Sequence, residues 1–276
     1  LIGKLYVVGT PIGNLEDFSP RAERTLSEVD FIAAEDTRVT IKLLNRFGIS
    51  TPMISYHKYN ARERGEEICS RIMNGENAAI VTDAGMPCIS DPGEWLIQKC
   101  AECGIEVCAV PGPTALATAV AISGLPTGRF TFEGFLSVNK GSRREHLLSL
   151  VNEQRTMIFY EAPHKLPNTL KDMYDVLGDR KISIVRELTK IHEQVIRTTL
   201  KDAAENLTDG SVKGELVLVI EGAAVPEKVE DTIEDAIELA KQRIANGMSA
   251  SAAAKEAAGI TGFKKGDIYK KLIEDQ

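Results

Sequence analysis

The feature that most constrains this chain is where its apolar runs stop. Leu5–Val8, Phe31–Ala34, Ala78–Val81 and Ile105–Val110 are short apolar runs. Each breaks on its carboxyl side into a turn rich in Gly, Pro, Asp or Thr: GTPIGN, EDTR, TDAG and PGPTA. Continuous rather than alternating apolar character predicts strands buried on both faces, as in a parallel sheet. The intervening stretches are long enough for helical crossovers. Ser19 followed by Pro20, for example, offers an N-cap and a first-turn proline to a helix carrying Ala22 and Leu26. In an open parallel sheet, ligands bind outside the carboxyl ends of the strands. The turns are therefore where chemistry is expected.

Beyond residue 115 the pattern changes. Ser142 with Glu145 reads as a capping box opening a helix through Leu147, Leu148 and Val151. Strands then come densely, at Met157–Tyr160, Ile182–Val185, Val195–Thr199 and Leu216–Ile220. The segment from His192 to Leu200 follows Lys181–Arg186 with no room for a helical crossover, so a mixed sheet is expected. Ala223–Asp231 reads as a charged, Pro-containing linker. After it, Ile233, Ile237, Ala240 and Ile244 mark a helical face ending at Asn246-Gly247. Ser249 caps an alanine-rich helix that stops at Gly259, and a third helix starts near Lys264. The expected fold class is α/β. An N-terminal lobe (1–115) has a mainly parallel sheet and a second lobe (116–222) a mixed one. A C-terminal helical module (229–276) has a helix-turn-helix outline.

Several classes are excluded or disfavoured. No apolar run approaches the roughly 20 residues of a membrane helix, and no signal peptide opens the sequence. A net charge of −7 argues against polyanion binding by the whole surface, while leaving room for a local basic patch. The CxxC at Cys100 and Cys103 lacks a second ligand pair, so Cys69, Cys88, Cys100, Cys103 and Cys108 read as reduced thiols. GTPIGN lacks the GxGxxG spacing that grips a pyrophosphate, and no GxxxxGK[ST], HExxH or GxSxG occurs. A cofactor without phosphates fits these turns better than a nucleotide polyphosphate.

The turns form an ordered set: GTPIGN (Gly9–Asn14), AAEDTR (Ala33–Arg38), VTDAGMPCISDPG (Val81–Gly93) and VPGPTA (Val110–Ala115). FEGFL (Phe132–Leu136), FYEAPHK (Phe159–Lys165) and VRELTKIHE (Val185–Glu193) follow. In this order and spacing the chain resembles the tetrapyrrole-methylase superfamily of S-adenosylmethionine-dependent enzymes. It is most similar to the subgroup that methylates the ribose 2′-hydroxyl of a cytidine in small-subunit ribosomal RNA. The resemblance implies S-adenosylmethionine folded between the two lobes and contacted largely by backbone. Pro11 would border it from the first turn, with Asp83, Ala84, Gly85, Met86 and Ile89 lining it from the TDAGMPCI loop. Thr114 and Ala115 would add contacts at a helix start, and Glu161, Ala162 and Leu188 would close it from the second lobe. It also implies a homodimer in the cytoplasm, with no metal and no membrane association. The partner would be small-subunit ribosomal RNA or the assembled small subunit.

A ribose hydroxyl is a poor nucleophile and calls for a proton acceptor. Asp36, His57, Glu133 and Glu161 are candidates, with Glu35, His164, Glu187 and Glu193 behind them; the sequence isolates none. For RNA, Arg38, Lys140, Arg143 and Arg144 are basic loop or helix-start residues. Residues 239–271 hold seven basic side chains, Lys264 and Lys265 among them, against Glu256 and Asp267, a local +5 in an acidic protein. Tyr56, His57 and Tyr59, interleaved with Lys58 and followed by Arg62 and Arg64, form an aromatic–basic stretch suited to a single-stranded nucleotide. Two rivals remain open. One is a methylase of a corrin or siroheme precursor, or of a modified histidine in a translation factor, against which the helical module weighs. The other is a ligand-sensing helix-turn-helix regulator, against which the acidic body weighs.

Overall fold

The computed structural model describes residues 1–208, 212–224 and 232–274. In the first part of the chain, parallel strands alternate with helices: β1 (Lys4–Val8), α1 (Pro20–Glu28), β2 (Phe31–Ala34), α2 (Thr37–Arg46), β3 (Met53–Ser55), α3 (Ala61–Met73), β4 (Ala78–Val81), α4 (Glu94–Glu102) and β5 (Glu106–Val110). The strand order is β3-β2-β4-β1-β5. Alternate side chains of each strand feed opposite faces. Val8, Ile32, Ala34, Ala79 and Val81 meet Ala22 and Leu26 of α1 and Leu44 of α2. Leu5, Phe31, Ala33, Ala78 and Ile80 meet Ile68 and Ile72 of α3 and Leu96 and Cys100 of α4. Two covered faces are why the strands read as unbroken apolar runs. Ser19 accepts from Ala22 N–H at the start of α1, as its position before Pro20 predicts.

The chain leaves β1 toward β2 on one side and crosses from β4 to β5 on the other. The turns after β1, β4 and β5 thus meet at a topological switch point. Helix α5 (Ala115–Ser123) follows β5 but packs Ala119 and Val120 beneath a second sheet, against Ile158, Val185, Val217 and Val219. That sheet comprises β6 (Phe130–Phe135), β7 (Thr156–Glu161), β8 (Lys181–Arg186), β9 (Gln194–Thr199) and β10 (Leu216–Ile220). Its order is β6-β7-β10-β8-β9. Only β6 and β7 are parallel; the other pairs are antiparallel. Its far face packs on α6 (Lys140–Ser149), α7 (Leu166–Leu177) and α8 (Leu200–Asn206) through Leu147, Leu170, Met173 and Leu200. The two sheets belong to one compact unit, Leu1–Ala224.

Among its described residues the second unit has three helices: α9 (Ile233–Ala245), α10 (Ala250–Thr261) and α11 (Lys265–Glu274). Its core is small residues, Ala236, Ala240, Ala253, Ala254 and Ala257, closed by Ile237, Ile268 and Leu272. A Thr232–Asp235 capping box opens α9, and Ser249 caps α10. Most of the expected linker, and the start of the module at residue 229, fall in 225–231, outside the described residues.

The structure corrects several local expectations. The N-cap of α6 is Asn139, which accepts from Ser142 N–H, so Ser142 lies inside the first turn. Helix α10 runs through Gly259 and stops at Gly262, whose φ of +78° supplies the left-handed cap. Strands β3 and β6 went unforeseen. The first is a three-residue edge strand behind Pro52. The second is interrupted by a bulge at Glu133, beside Gly134 with φ +66°.

Candidate functional site

The turns at the carboxyl ends of the first sheet face the second sheet across a cleft of about 440 Å³, within the size range of small-molecule sites. Ile12, Glu35, Asp83, Ala84, Met86 and Ile89 line it from the first sheet's turns, with Thr114 and Ala115 at the start of α5. Tyr160, Glu161, Ala162, Leu188 and Val217 line it from the second sheet. A hollow of similar size, about 490 Å³, lies along α1 and β5 between Arg21, Arg24 and Cys108. Of the turn motifs it takes in only Val110, at the end of β5, so the chemistry belongs in the cleft.

Close backbone packing fixes the first-sheet wall. Thr10 and Gly85 exchange backbone hydrogen bonds of 2.9 and 3.1 Å, and Thr10 Oγ1 donates to Thr82 O at 3.2 Å. Gly85 sits at φ +89°, a conformation few side chains tolerate. Gly9 and Gly112 lie back to back: a Cβ on Gly112 would stand 2.9 Å from the Gly9 backbone. Glycine at both positions is what lets the turns after β1 and β5 touch.

The first-sheet wall of the cleft is acidic. Glu35, Asp83 and Asp91 all line it, and Glu35 accepts from Thr82 Oγ1. Burial, reinforced by the Glu35 charge, pushes the Asp83 carboxyl up. Burial and then Glu35 push Asp91 up to about 6, with Asp83 adding to the effect. The second-sheet wall carries aromatic rings. Tyr160 accepts from Leu116 N–H at 3.2 Å and packs edge-on to Phe132 and Phe135. The first turn of α5 also opens here, and Thr114 makes no capping bond to it.

The structure sorts the residues expected from sequence. Asp83, Ala84, Met86, Ile89, Thr114, Ala115, Glu161, Ala162 and Leu188 converge on the cleft. Pro11 and Gly85 do not line it: Gly85 supports the wall from behind, where its Cβ would press on Ile12. Glu161 is buried with both oxygens committed, one accepting from Ala162 N–H at 2.8 Å and the other from Thr169 Oγ1 at 2.6 Å. These two bonds tie its carboxylate to the turn after β7 and to α7.

Of the other proton-acceptor candidates, Glu35 lines the cleft and the rest lie off it. Asp36 caps α2 and pairs with Arg38, whose hydrogen bonds hold its carboxyl down to about 2. Glu133 is bonded to His146 Nε2 at 3.1 Å. His57 follows β3, its Nδ1 buried without a partner among the described residues. His164 is exposed. Glu187 is held by Lys190 and Glu215 N–H, and Glu193 by Thr189 N–H. Sequence reasoning passed over Asp91 although its motif was noted. What distinguishes it is desolvation by neighbours distant in sequence, which no local pattern displays.

Among the basic residues, Arg143 is corrected. It is buried in an ion pair with Asp172 at 2.6 Å, and its other nitrogen donates to the carbonyls of Ser137 and Val138. It is an internal brace for the loop after Phe135 and offers nothing to a polyanion. Arg144 is half-buried and also pairs with Asp172, whereas Lys140 is exposed. Arg38 is exposed beside Asp36. In the helical unit Lys264 and Lys265 are exposed, and Lys265 donates to Ser251. Arg243, Lys270 and Lys271 pair with Glu256, Glu274 and Glu234, which dilutes the patch read from sequence.

Residues 4–204 match the model of the tetrapyrrole (corrin/porphyrin) methylases. A Synechocystis protein named ribosomal RNA small subunit methyltransferase I is 46% identical over 99% of this chain and 98% of its own. A Thermotoga maritima protein of the same name is 48% identical, covering 80% of this chain and 99% of its own. Among solved structures, uroporphyrin-III C-methyltransferase from Thermus thermophilus, complexed with S-adenosylhomocysteine, superposes with a TM-score of 0.56 at 19% identity. That match covers 79% of this chain and 97% of the other, and shows the fold. By sequence over most of its length, and by fold, the chain belongs to the tetrapyrrole (corrin/porphyrin) methylase family.

Proposed function

We propose that this protein is an S-adenosylmethionine-dependent methyltransferase that methylates the ribose 2′-hydroxyl of a cytidine in small-subunit ribosomal RNA. The observation that carries the reading is similarity over 99% of the chain to the Synechocystis protein named ribosomal RNA small subunit methyltransferase I, joined to a cleft whose lining suits this cofactor. Glu35, Asp83 and Asp91 on the first-sheet wall suit its cationic sulfonium and ammonium groups. The amino end of α5 suits its carboxylate, as helix starts favour anions. Ile12, Met86, Leu188 and Val217 supply apolar cover for its base.

When bound, S-adenosylmethionine supplies a methyl carbon whose bond to sulfur breaks as the ribose oxygen bonds to it, leaving the electron pair on sulfur. The residues of the chain position and deprotonate. The turns locked through Thr10–Gly85 and Gly9–Gly112 hold the wall rigid, so that nucleophile and methyl meet in line. Asp91 takes the hydroxyl proton. Of the cleft carboxylates it is the one raised to about 6, which leaves it ionised at neutral pH yet basic enough to accept a proton.

Gly112→Ala is expected to spread the first and last turns of the sheet. Calorimetry should then show S-adenosylmethionine bound at least tenfold more weakly by a protein of wild-type circular dichroism; unchanged affinity would remove the glycine contact from the site. The Thermotoga relative fills only 80% of this chain, and the shortfall is about the size of the helical unit. Removing residues 225–276 is therefore expected to preserve cofactor affinity and kcat while raising KM for ribosomal substrate several-fold. A truncated protein with wild-type KM would leave the helical unit without a substrate role.

A further inference from the structure

We propose that a second hollow, beside α3, is a nucleotide-stacking site that grips the RNA strand flanking the target residue. The inference rests on the RNA reading above and deepens it. The hollow measures about 420 Å³ and is lined by Lys58, Tyr59, Arg62 and Trp95, with Asn60 and Glu63.

Its position follows from the sheet. The loop that carries Tyr59 leaves the carboxyl end of β3, the strand paired with β2, and the residue after β2 is the cleft residue Glu35. Neighbouring strands are about 4.8 Å apart, so the two loops share one rim. From the other side, Trp95 follows the cleft residue Asp91 by four positions, at the start of α4. A strand whose ribose enters the cleft passes along this rim.

The hollow is built. The Trp95 ring lies on the backbone of α3 at Gly65, where a Cβ would come within 2.3 Å of it. Only glycine lets the indole seat there, which fixes its orientation. Asn60 turns its side chain inward, accepting from His57 N–H at 2.8 Å and donating to Ser55 O at 3.1 Å. The loop is thus pinned, and Tyr59 projects from it 95% exposed, its ring edge-on to His57. A pinned loop that presents an aromatic ring to water offers a platform for a base.

The charges match. Lys58 and Arg62 are exposed and form no ion pair with a described residue, whereas Arg64 on the same helix is tied to Glu67. Glu63 opposes them, leaving the hollow with a net positive charge. Aromatic rings between unpaired cations suit single-stranded nucleic acid, in which every base offers a face and every step a phosphate.

Trp95 is the chain's one tryptophan, so its emission reports on the hollow directly. Titrating the full chain with a single-stranded, cytidine-containing ribo-oligonucleotide should quench it saturably. Tyr59→Ala should weaken binding about tenfold, roughly 1.4 kcal/mol, and Tyr59→Phe should restore it. Lys58→Ala with Arg62→Ala should flatten the slope of log affinity against log salt by about 1.4, at about 0.7 per phosphate on a single strand. Cofactor affinity should be unchanged in all of them. Oligonucleotide binding without change in Trp95 emission, no binding at all, or wild-type affinity in Tyr59→Ala would each overturn the site. Methyl transfer separates this failure from that of the parent reading. If Tyr59→Ala methylates ribosomal substrate with wild-type KM, the stacking site falls and the proposed function stands. If the wild type methylates no RNA, the proposed function falls.

Discussion

Asp91→Asn should lower kcat by about 100-fold or more, the usual scale for losing a positioned proton acceptor, with cofactor affinity changed only a few-fold. Asparagine keeps the shape of the side chain and removes its basicity. The wild-type rate should also fall as pH drops through about 6, because the carboxyl must be ionised to accept a proton. Stability runs the other way. The folded state raises this pKa above its ordinary value, so the group's contribution to stability is fully present at low pH. It is lost as pH rises from the ordinary carboxyl range to about 6. At pH 8 the Asn variant should therefore be at least as stable as the wild type while far less active. A variant with undiminished kcat, or a wild-type profile flat through pH 6, would take the role from Asp91.

Asp172→Ala is expected to be the most destabilising single change in the α/β unit. Asp172 and Arg143 are nearly buried, with side-chain exposures of 5% and 10%. Removing one partner leaves an uncompensated buried guanidinium, which costs about 3–5 kcal/mol. The loss also releases the loop at Ser137 and Val138, just beyond the cleft residue Phe135. Urea unfolding should show the loss as a shifted midpoint. Replacing both residues with apolar ones, Arg143→Met with Asp172→Leu, should recover much of it, since the desolvation cost disappears with the charges. A single variant within about 1 kcal/mol of the wild type would mean that water reaches this pair.

Strands β2, β4 and β10 were legible because they bury both faces, and that burial writes itself as unbroken apolar runs such as Ala78–Val81, whereas the half-exposed β3 and β6 carry no such run. The cleft wall was legible as Gly- and Pro-bearing turns at strand ends, which is how Ala84, Met86 and Ile89 were found. What escaped depends on partners far along the chain. Arg143 reads as a free cation until Asp172, 29 residues on, folds against it. Gly85 reads as a cofactor contact until its bridge to Thr10 shows it supporting the wall. Nothing local in the sequence shows that Glu161 accepts from Thr169 Oγ1, eight residues on, as well as from Ala162 N–H. Helix ends slipped for a related reason: Asn139 and Ser142 are both capable caps, and packing of Arg143 and Leu147 chooses the earlier one.

Methyl transfer to ribosomal RNA from a cofactor held between the two sheets can be measured directly. The most direct measurement incubates the protein and methyl-labelled S-adenosylmethionine with deproteinised ribosomal RNA and, separately, with assembled small subunits. The RNA is then digested to nucleosides to locate the label. Label is expected in 2′-O-methylcytidine from small-subunit RNA in at least one of the two, and that label should be lost in Asp91→Asn. Label on a base, or no label in any RNA from either substrate, would contradict the proposed function.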